Sequence, residues 1–60
     1  MYKEIDLILK RYNYNQKKLL QILLDVQEIS IENNISKDIA IYIAQALDIS
    51  LSQIDAMVNF

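Results

Sequence analysis

The sequence predicts an all-α protein, a small bundle of three to four short helices within a single domain spanning residues 1–60. Apolar residues recur at the i, i+3, i+4, i+7 spacing of a helix face, and the alternation expected of a half-buried strand is missing. The chain has no Gly and no Pro, so Asn and Ser residues separate the apolar segments. Asn adopts the left-handed conformation of helix ends readily. We therefore predict breaks in the helices at Asn13, Asn15, Asn33 and Asn34.

The first two helices are predicted at residues 2–12 and 16–29. Asn15 is suited to cap the second helix, because its side-chain oxygen accepts hydrogen bonds from amides of a first helical turn. Each helix carries an apolar stripe that we expect to face the core. The stripe of the first helix comprises Ile5, Ile8, Leu9 and Tyr12, and that of the second comprises Leu19, Ile22, Leu23 and Val26.

Two further helices are predicted at residues 37–47 and 51–59. Ser36 is suited to cap the third, and Asp38 lies in its first turn, where the helix dipole favours an anion. Ser50 and Gln53 have the spacing of a capping box for the fourth. The expected core residues are Ile39, Tyr42, Ile43, Ala46 and Leu47 of the third helix, and Leu51, Ile54, Met57 and Val58 of the fourth.

Some apolar residues lie outside the predicted core stripes. Hydrophobic residues make up 53% of the chain, more than a 60-residue monomer easily buries. Leu20 and Leu24 form a second apolar edge on the second helix, and Ile41 lies off the stripe of the third. We predict that these three residues form a protein interface. Self-association through this surplus apolar surface is one alternative, and burial of the second helix at the centre of the bundle is another.

Composition excludes most catalytic and cofactor chemistry. Without Cys or His there is no thiol nucleophile, His base, zinc finger or iron–sulfur ligand set, and without Gly there is no glycine-rich phosphate loop. Asp25 and Glu28 share a helix face, but catalytic carboxylates need a cleft that separates their pKa values, so a solvated pair is expected. We predict a non-enzymatic chain without catalytic, cofactor-binding or metal-binding residues.

Charge and hydropathy point to a soluble, cytoplasmic protein. The longest apolar run, residues 39–44, is far shorter than the roughly 20 residues that span a bilayer, and the first residues lack the apolar stretch of a signal peptide. The net charge of −2 is unevenly distributed. Residues 1–18 carry five cations and two acids, whereas residues 19–60 carry one cation and six acids. Such asymmetry can steer a partner, but charge of this kind more often marks a solvated helix surface, and we favour that interpretation.

Residues 38–58 have the spacing of a helix–turn–helix, with Asp48 at the turn position that usually carries Gly. A DNA-binding regulator is therefore an alternative function. The second helix of this pair has no Lys or Arg and carries Asp55, whereas phosphate contacts need cations. The spacing therefore favours helix packing over nucleic-acid binding. The four tyrosines are likewise interpreted as packing residues and not as a base-stacking surface.

Three segments resemble one known family. They are Leu23–Glu28 (LLDVQE), Ile43–Ile49 (IAQALDI) and Gln53–Phe60 (QIDAMVNF). Together they resemble the N-terminal helical region of the thioredoxin-like 2Fe–2S subunit of NADH:quinone oxidoreductase, which also occurs in NAD-reducing hydrogenases and NAD-dependent formate dehydrogenases. Members typically read L-L-x-x-V-Q-E, then I-A-x-x-L-x-[IV], then [IV]-x-G-V-x-[ST]-F-Y. The resemblance covers residues 5–60.

The departures from the family pattern limit what the resemblance implies. Ser36 and Ser50 replace the usual Pro at helix starts, and Asn33, Asp48 and Ala56 stand where Gly is common. The four Cys that hold the cluster in this family follow the helical region, and these 60 residues contain none. The resemblance implies a structural domain without a cofactor. Its expected partners are the thioredoxin-like 2Fe–2S domain and the flavin-bearing subunit that oxidises NADH.

Overall fold

A computed structural model of the chain describes residues 2–31 and 34–58. Helices take up 78% of these residues, none of which forms a strand. The elements in chain order are α1 (Tyr2–Arg11), a 3₁₀ turn (Gln16–Lys18), α2 (Leu19–Ile29), α3 (Lys37–Leu47) and α4 (Leu51–Val58). The all-α prediction is confirmed.

The connection between α1 and α2 turns through two left-handed residues. Asn13 and Tyr14 have φ values of 57° and 53°. Asn occupies the left-handed region readily, whereas a left-handed Tyr is uncommon. The break at Asn13 was predicted, but the left-handed conformation of Tyr14 was not. The backbone N–H of Tyr14 donates to the carbonyl of Leu9 at 2.9 Å, so the strained turn is still hydrogen-bonded to the end of α1.

The predicted helix at residues 16–29 begins as a 3₁₀ turn and becomes α-helical only at Leu19. Lys18, the last residue of the 3₁₀ turn, has φ −101° and ψ 19°, outside the α-helical region, and α2 begins at the next residue. The Asn15 side chain accepts a hydrogen bond from the N–H of Lys17 at 2.9 Å. Asn15 is therefore a cap, as predicted, but it caps the 3₁₀ turn and not α2.

The ends of α3 and α4 follow the predicted capping chemistry. The Ser36 hydroxyl accepts a hydrogen bond from the N–H of Ile39 at 3.3 Å. In the capping box of α4, the N–H of Gln53 donates to the Ser50 hydroxyl at 3.3 Å, and the N–H of Ser50 donates to the Gln53 amide oxygen at 3.4 Å. Asp48 ends α3 in the left-handed conformation with φ 56°, the role that Gly usually takes. The predicted break at Asn33 lies outside the described residues.

Replacing Ser36 by alanine is expected to lower the free energy of unfolding by about 1 kcal/mol, because the first turn of α3 loses the hydroxyl that accepts the Ile39 N–H. Urea denaturation followed by far-UV circular dichroism measures this loss. Ser52→Ala is the matched control, since Ser52 is exposed within α4. An equal loss in both variants would contradict a capping role for Ser36.

One apolar core joins all four helices. Its fully buried side chains include Ile5, Leu9, Ile22, Val26, Ile43 and Ile54. The predicted stripe of α2 is buried throughout, and that of α1 is buried except for Tyr12, which is half-buried against the core. The buried hydrophobic residues of the described chain are Ile5, Ile8, Leu9, Leu19, Ile22, Leu23, Val26, Ile39, Ala40, Ile43, Ala44, Leu47 and Ile54.

The buried face of α3 differs from the predicted stripe. Ile39, Ile43 and Leu47 are buried as expected, but Ala46 is exposed and Tyr42 is only half-buried. Ala40 and Ala44 are buried instead. The helix is rotated so that these small side chains face its neighbours, which allows close approach of the packed helices. The assignment of Ala46 to the core was wrong for this reason.

The core face of α4 is narrower than predicted. Ile54 is fully buried and Leu51 is partly buried, whereas Met57 is 38% exposed. The side chain of Val58 and the whole of Asn59 lie outside the described part of the chain. Because α4 has only eight residues, its well-covered surface is limited to about one turn around Ile54.

The helices pack as two pairs, α1 with α2 and α3 with α4. Polar contacts connect one pair to the other. The side-chain amide of Gln16 donates to the carbonyl of Leu47 at 2.7 Å, which satisfies an otherwise free carbonyl at the end of α3. The Tyr42 hydroxyl donates to the Asp6 carboxylate, which joins α3 to α1. None of the described helices has the length and apolar character needed to cross a membrane.

Candidate functional site

An apolar groove lies beside α2 and α4. It has a volume of about 90 Å³. Three of its side chains are substantially exposed, namely Leu20 (51%), Leu24 (53%) and Met57 (38%). The groove is lined by Leu20, Leu23, Leu24, Gln27, Ile35 and Met57, all of them uncharged. Below, "the apolar groove" refers to these six residues.

The groove results from the two apolar edges of α2. One edge, which includes Ile22 and Val26, is buried in the core. Leu20 and Leu24 are one turn apart on the other edge, and Leu23 lies between the two edges and is buried. The short α4 contributes Met57 at the rim. The sequence identified Leu20 and Leu24 as surplus, but it placed Met57 in the core.

Ile41 lies on a different surface from Leu20 and Leu24. It is 36% exposed and lines an open hollow of about 220 Å³. The hollow is lined by Tyr2, Asp38, Ile41, Tyr42 and Gln45, and we call it the tyrosine hollow. The structure therefore brings together two of the three predicted interface residues and separates the third.

Two tyrosines donate hydrogen bonds to carboxylates on other helices. The Tyr12 hydroxyl donates to Asp25 at 2.7 Å, and the Tyr42 hydroxyl donates to Asp6 at 2.5 Å. The hydrogen bond to Asp25 raises the pKa of Tyr12 above its ordinary value, and burial and the Asp25 charge raise it further. The hydrogen bond to Asp6, with burial, raises the pKa of Tyr42 in the same way. Both tyrosines thus remain neutral donors well above neutral pH.

Asp25 connects helices and does not form an acid–base pair. It accepts the Tyr12 hydroxyl, and it pairs with the Arg11 guanidinium at 3.3 Å. Glu28, its neighbour on the α2 face, is exposed. The contact between Tyr12 and Asp25 was not predicted, because the two residues are 13 positions apart and no local spacing indicates such a pair. Within residues 2–31 and 34–58 no cluster of three acidic residues could hold a metal ion.

The helix–turn–helix interpretation is not strengthened by the arrangement of α3 and α4. The two helices pack together and are joined by residues 48–50. The exposed positions of α4 include Ser52, Gln53 and Asp55, and no Lys or Arg lies on this helix. A helix of this composition supplies polar groups for base edges but no cation for phosphates.

Comparison with protein-family models gives a match over residues 5–60 to the family described as thioredoxin-like [2Fe-2S] ferredoxin. This match confirms the resemblance predicted from the three sequence segments, and it covers the same range. No curated protein and no solved structure matches the chain.

Proposed function

This chain belongs to the thioredoxin-like [2Fe-2S] ferredoxin family, and from that membership we propose that it is a helical docking domain of an electron-transfer subunit. The family comprises electron-transfer subunit domains of oxidoreductase complexes. We propose that the chain itself is non-catalytic and acts in the cytoplasm by holding a redox partner in position.

The residues present do not fit the iron–sulfur cluster of the family. Such clusters are held by Cys thiolates, with His as the substitute ligand in Rieske centres. The 60 residues include neither Cys nor His. No electron-transfer step is therefore assigned to this chain, and its proposed contribution is to bind the domain that carries the cluster.

The apolar groove is the observation on which the proposal depends. Leu20 and Leu24 leave about half of their surface in contact with water. Burying such apolar surface against a partner stabilises the complex by about 25 cal/mol per Å². The lining is uncharged, so an apolar partner surface meets no desolvated charge in it. The proposed occupant is the thioredoxin-like 2Fe–2S domain, and the flavin-bearing, NADH-oxidising subunit is the further member of the complex.

The proposal is tested by purifying the tagged chain from its source cells and measuring iron, flavin and the identity of the recovered proteins. We expect the thioredoxin-like 2Fe–2S protein to be recovered with wild-type chain. Leu24→Asp places a charge in the groove and is expected to reduce recovery about tenfold, the effect of roughly 1.4 kcal/mol of lost binding energy.

Leu7→Asp is the matched control, because Leu7 is a 60% exposed leucine on α1 outside the groove. We expect this variant to recover the partner as well as wild type does, with far-UV circular dichroism confirming that both variants are folded. Recovery of the chain without any redox protein would contradict the proposal. Concentration-dependent dimers that Leu24→Asp abolishes would instead assign the groove to self-association.

A further inference from the structure

The tyrosine hollow is a concave surface built mainly from one face of α3. Asp38, Ile41, Tyr42 and Gln45 follow the i, i+3, i+4, i+7 spacing and therefore lie side by side along the helix. Tyr2, at the start of α1, completes the lining. The hollow is distinct from the apolar groove, because the two share no residue.

Two aromatic rings form one wall of the hollow. The rings of Tyr2 and Tyr42 have centroids 4.7 Å apart and planes inclined at 49°. The Tyr42 ring is held in place, because its hydroxyl donates to Asp6. Aromatic faces carry partial negative charge and attract cations placed over them.

One of the five lining residues of the hollow, Asp38, is charged, and its charge is negative. Asp38 is part of the lining and makes no hydrogen bond or ion pair with another residue of the described chain. Asp6 is not part of the lining, but its carboxylate accepts the hydrogen bond from Tyr42. No cation is among the lining residues. The hollow therefore combines an aromatic surface with an unpaired carboxylate.

We propose that the tyrosine hollow binds the guanidinium group of an arginine side chain from a partner protein. A guanidinium is planar and weakly hydrated, so it stacks on an aromatic ring and donates two parallel hydrogen bonds to a carboxylate. Here the stacking surface is the tyrosine pair, and the acceptor is Asp38. A lysine ammonium is more strongly hydrated and lacks the planar shape, so it matches the hollow less well. This inference does not depend on the proposed docking function of the apolar groove.

The test is a titration of the 60-residue chain with N-acetylarginine amide, followed by the NMR signals of the Tyr2 and Tyr42 ring protons. N-acetylcitrulline amide is the control ligand, since it has the same shape without the charge. We expect saturable shifts with the arginine compound and binding about tenfold weaker with the citrulline compound, because the cation–π and charge-assisted contacts are lost. Equal affinity for the two compounds would overturn the proposal.

Two variants assign the binding to this hollow. Asp38→Asn removes the proposed acceptor, whereas Asp55→Asn makes the same change of charge on an exposed residue of α4. We expect the first to weaken arginine binding at least several-fold and the second to leave it unchanged. Tyr2→Leu, at a 45% exposed position, is expected to weaken binding while the fold is retained. If Asp38→Asn and Asp55→Asn bind arginine equally, the site is not the tyrosine hollow.

Discussion

Replacing Ile43 by alanine is expected to lower the free energy of unfolding by about 2–5 kcal/mol. Ile43 is fully buried in the centre of α3 and belongs to the core shared by all four helices. The substitution removes buried apolar surface and leaves a cavity, because close-packed neighbours collapse only partly into the space. A domain of 60 residues has a total stability of roughly 3–9 kcal/mol, so this single change removes a large part of it.

Urea denaturation of both proteins, monitored by far-UV circular dichroism, measures this difference. Leu7→Ala is the matched control: Leu7 is an apolar residue of α1 that is 60% exposed, and its truncation is expected to cost less than about 0.5 kcal/mol. Similar losses for the two variants would mean that Ile43 does not occupy the closed core described here.

Stability is expected to fall above pH 10, because two tyrosine hydroxyls that donate hydrogen bonds to carboxylates on other helices lose their protons there. The hydrogen bond to Asp25 raises the pKa of Tyr12 above the ordinary value of 10.0, and the hydrogen bond to Asp6 does the same for Tyr42. A group whose pKa is higher in the folded state binds its proton more tightly there. The stabilising contribution is therefore complete below pH 10 and is lost as the pH rises through the folded-state pKa.

The measurement compares the urea midpoint at pH 8 and pH 11 for wild type and for Tyr12→Phe/Tyr42→Phe. We expect the double variant to be less stable than wild type at pH 8 and to lose less stability on going to pH 11. Tyr14→Phe is the comparison, since Tyr14 is exposed and its hydroxyl makes no hydrogen bond within the described chain. Its charge at high pH also raises the pKa of Tyr42, so we expect a smaller effect from this variant than from the double variant. An identical alkaline loss in the double variant and in wild type would exclude these two tyrosines as its cause.

Much of the helical organisation could be predicted because its causes are local. A capping side chain and the amide that it satisfies are two or three residues apart, as for Asn15 with Lys17 and Ser36 with Ile39. Left-handed helix ends are likewise favoured by the residue that adopts them, as at Asn13 and Asp48. Tyr14 was missed, because nothing in its own side chain favours a positive φ.

The helix faces were harder to predict. On α3 the large residue Tyr42 indicated a stripe on the side of the helix that also carries Ala46, whereas the helix buries Ala40 and Ala44 on the opposite side of Ile43. Burying an alanine contributes little free energy, so hydrophobicity alone does not single out Ala40 and Ala44 as core residues. Its advantage is its size, which matters only where a second helix approaches closely. That approach depends on how all four helices pack together, and no single-helix pattern contains it.

The candidate site was predicted only in part for a similar reason. Leu20 and Leu24 belong to one helix and were recognised together from their spacing, but the rim residue Met57 and the separation of Ile41 depend on the neighbouring helices. The tyrosine contacts span even greater distances along the chain, with Tyr42 bonded to a carboxylate 36 residues away.

The sequence by itself determined the four helices, most of their caps, the surplus leucines of α2 and the absence of any Cys or His ligand, because periodicity, capping and composition act within a few residues. Only the tertiary structure decided the rotation of α3, the apolar groove and the tyrosine hollow. Each of these depends on which side chains of separate helices share the same space, and that is settled by packing the whole chain around one core.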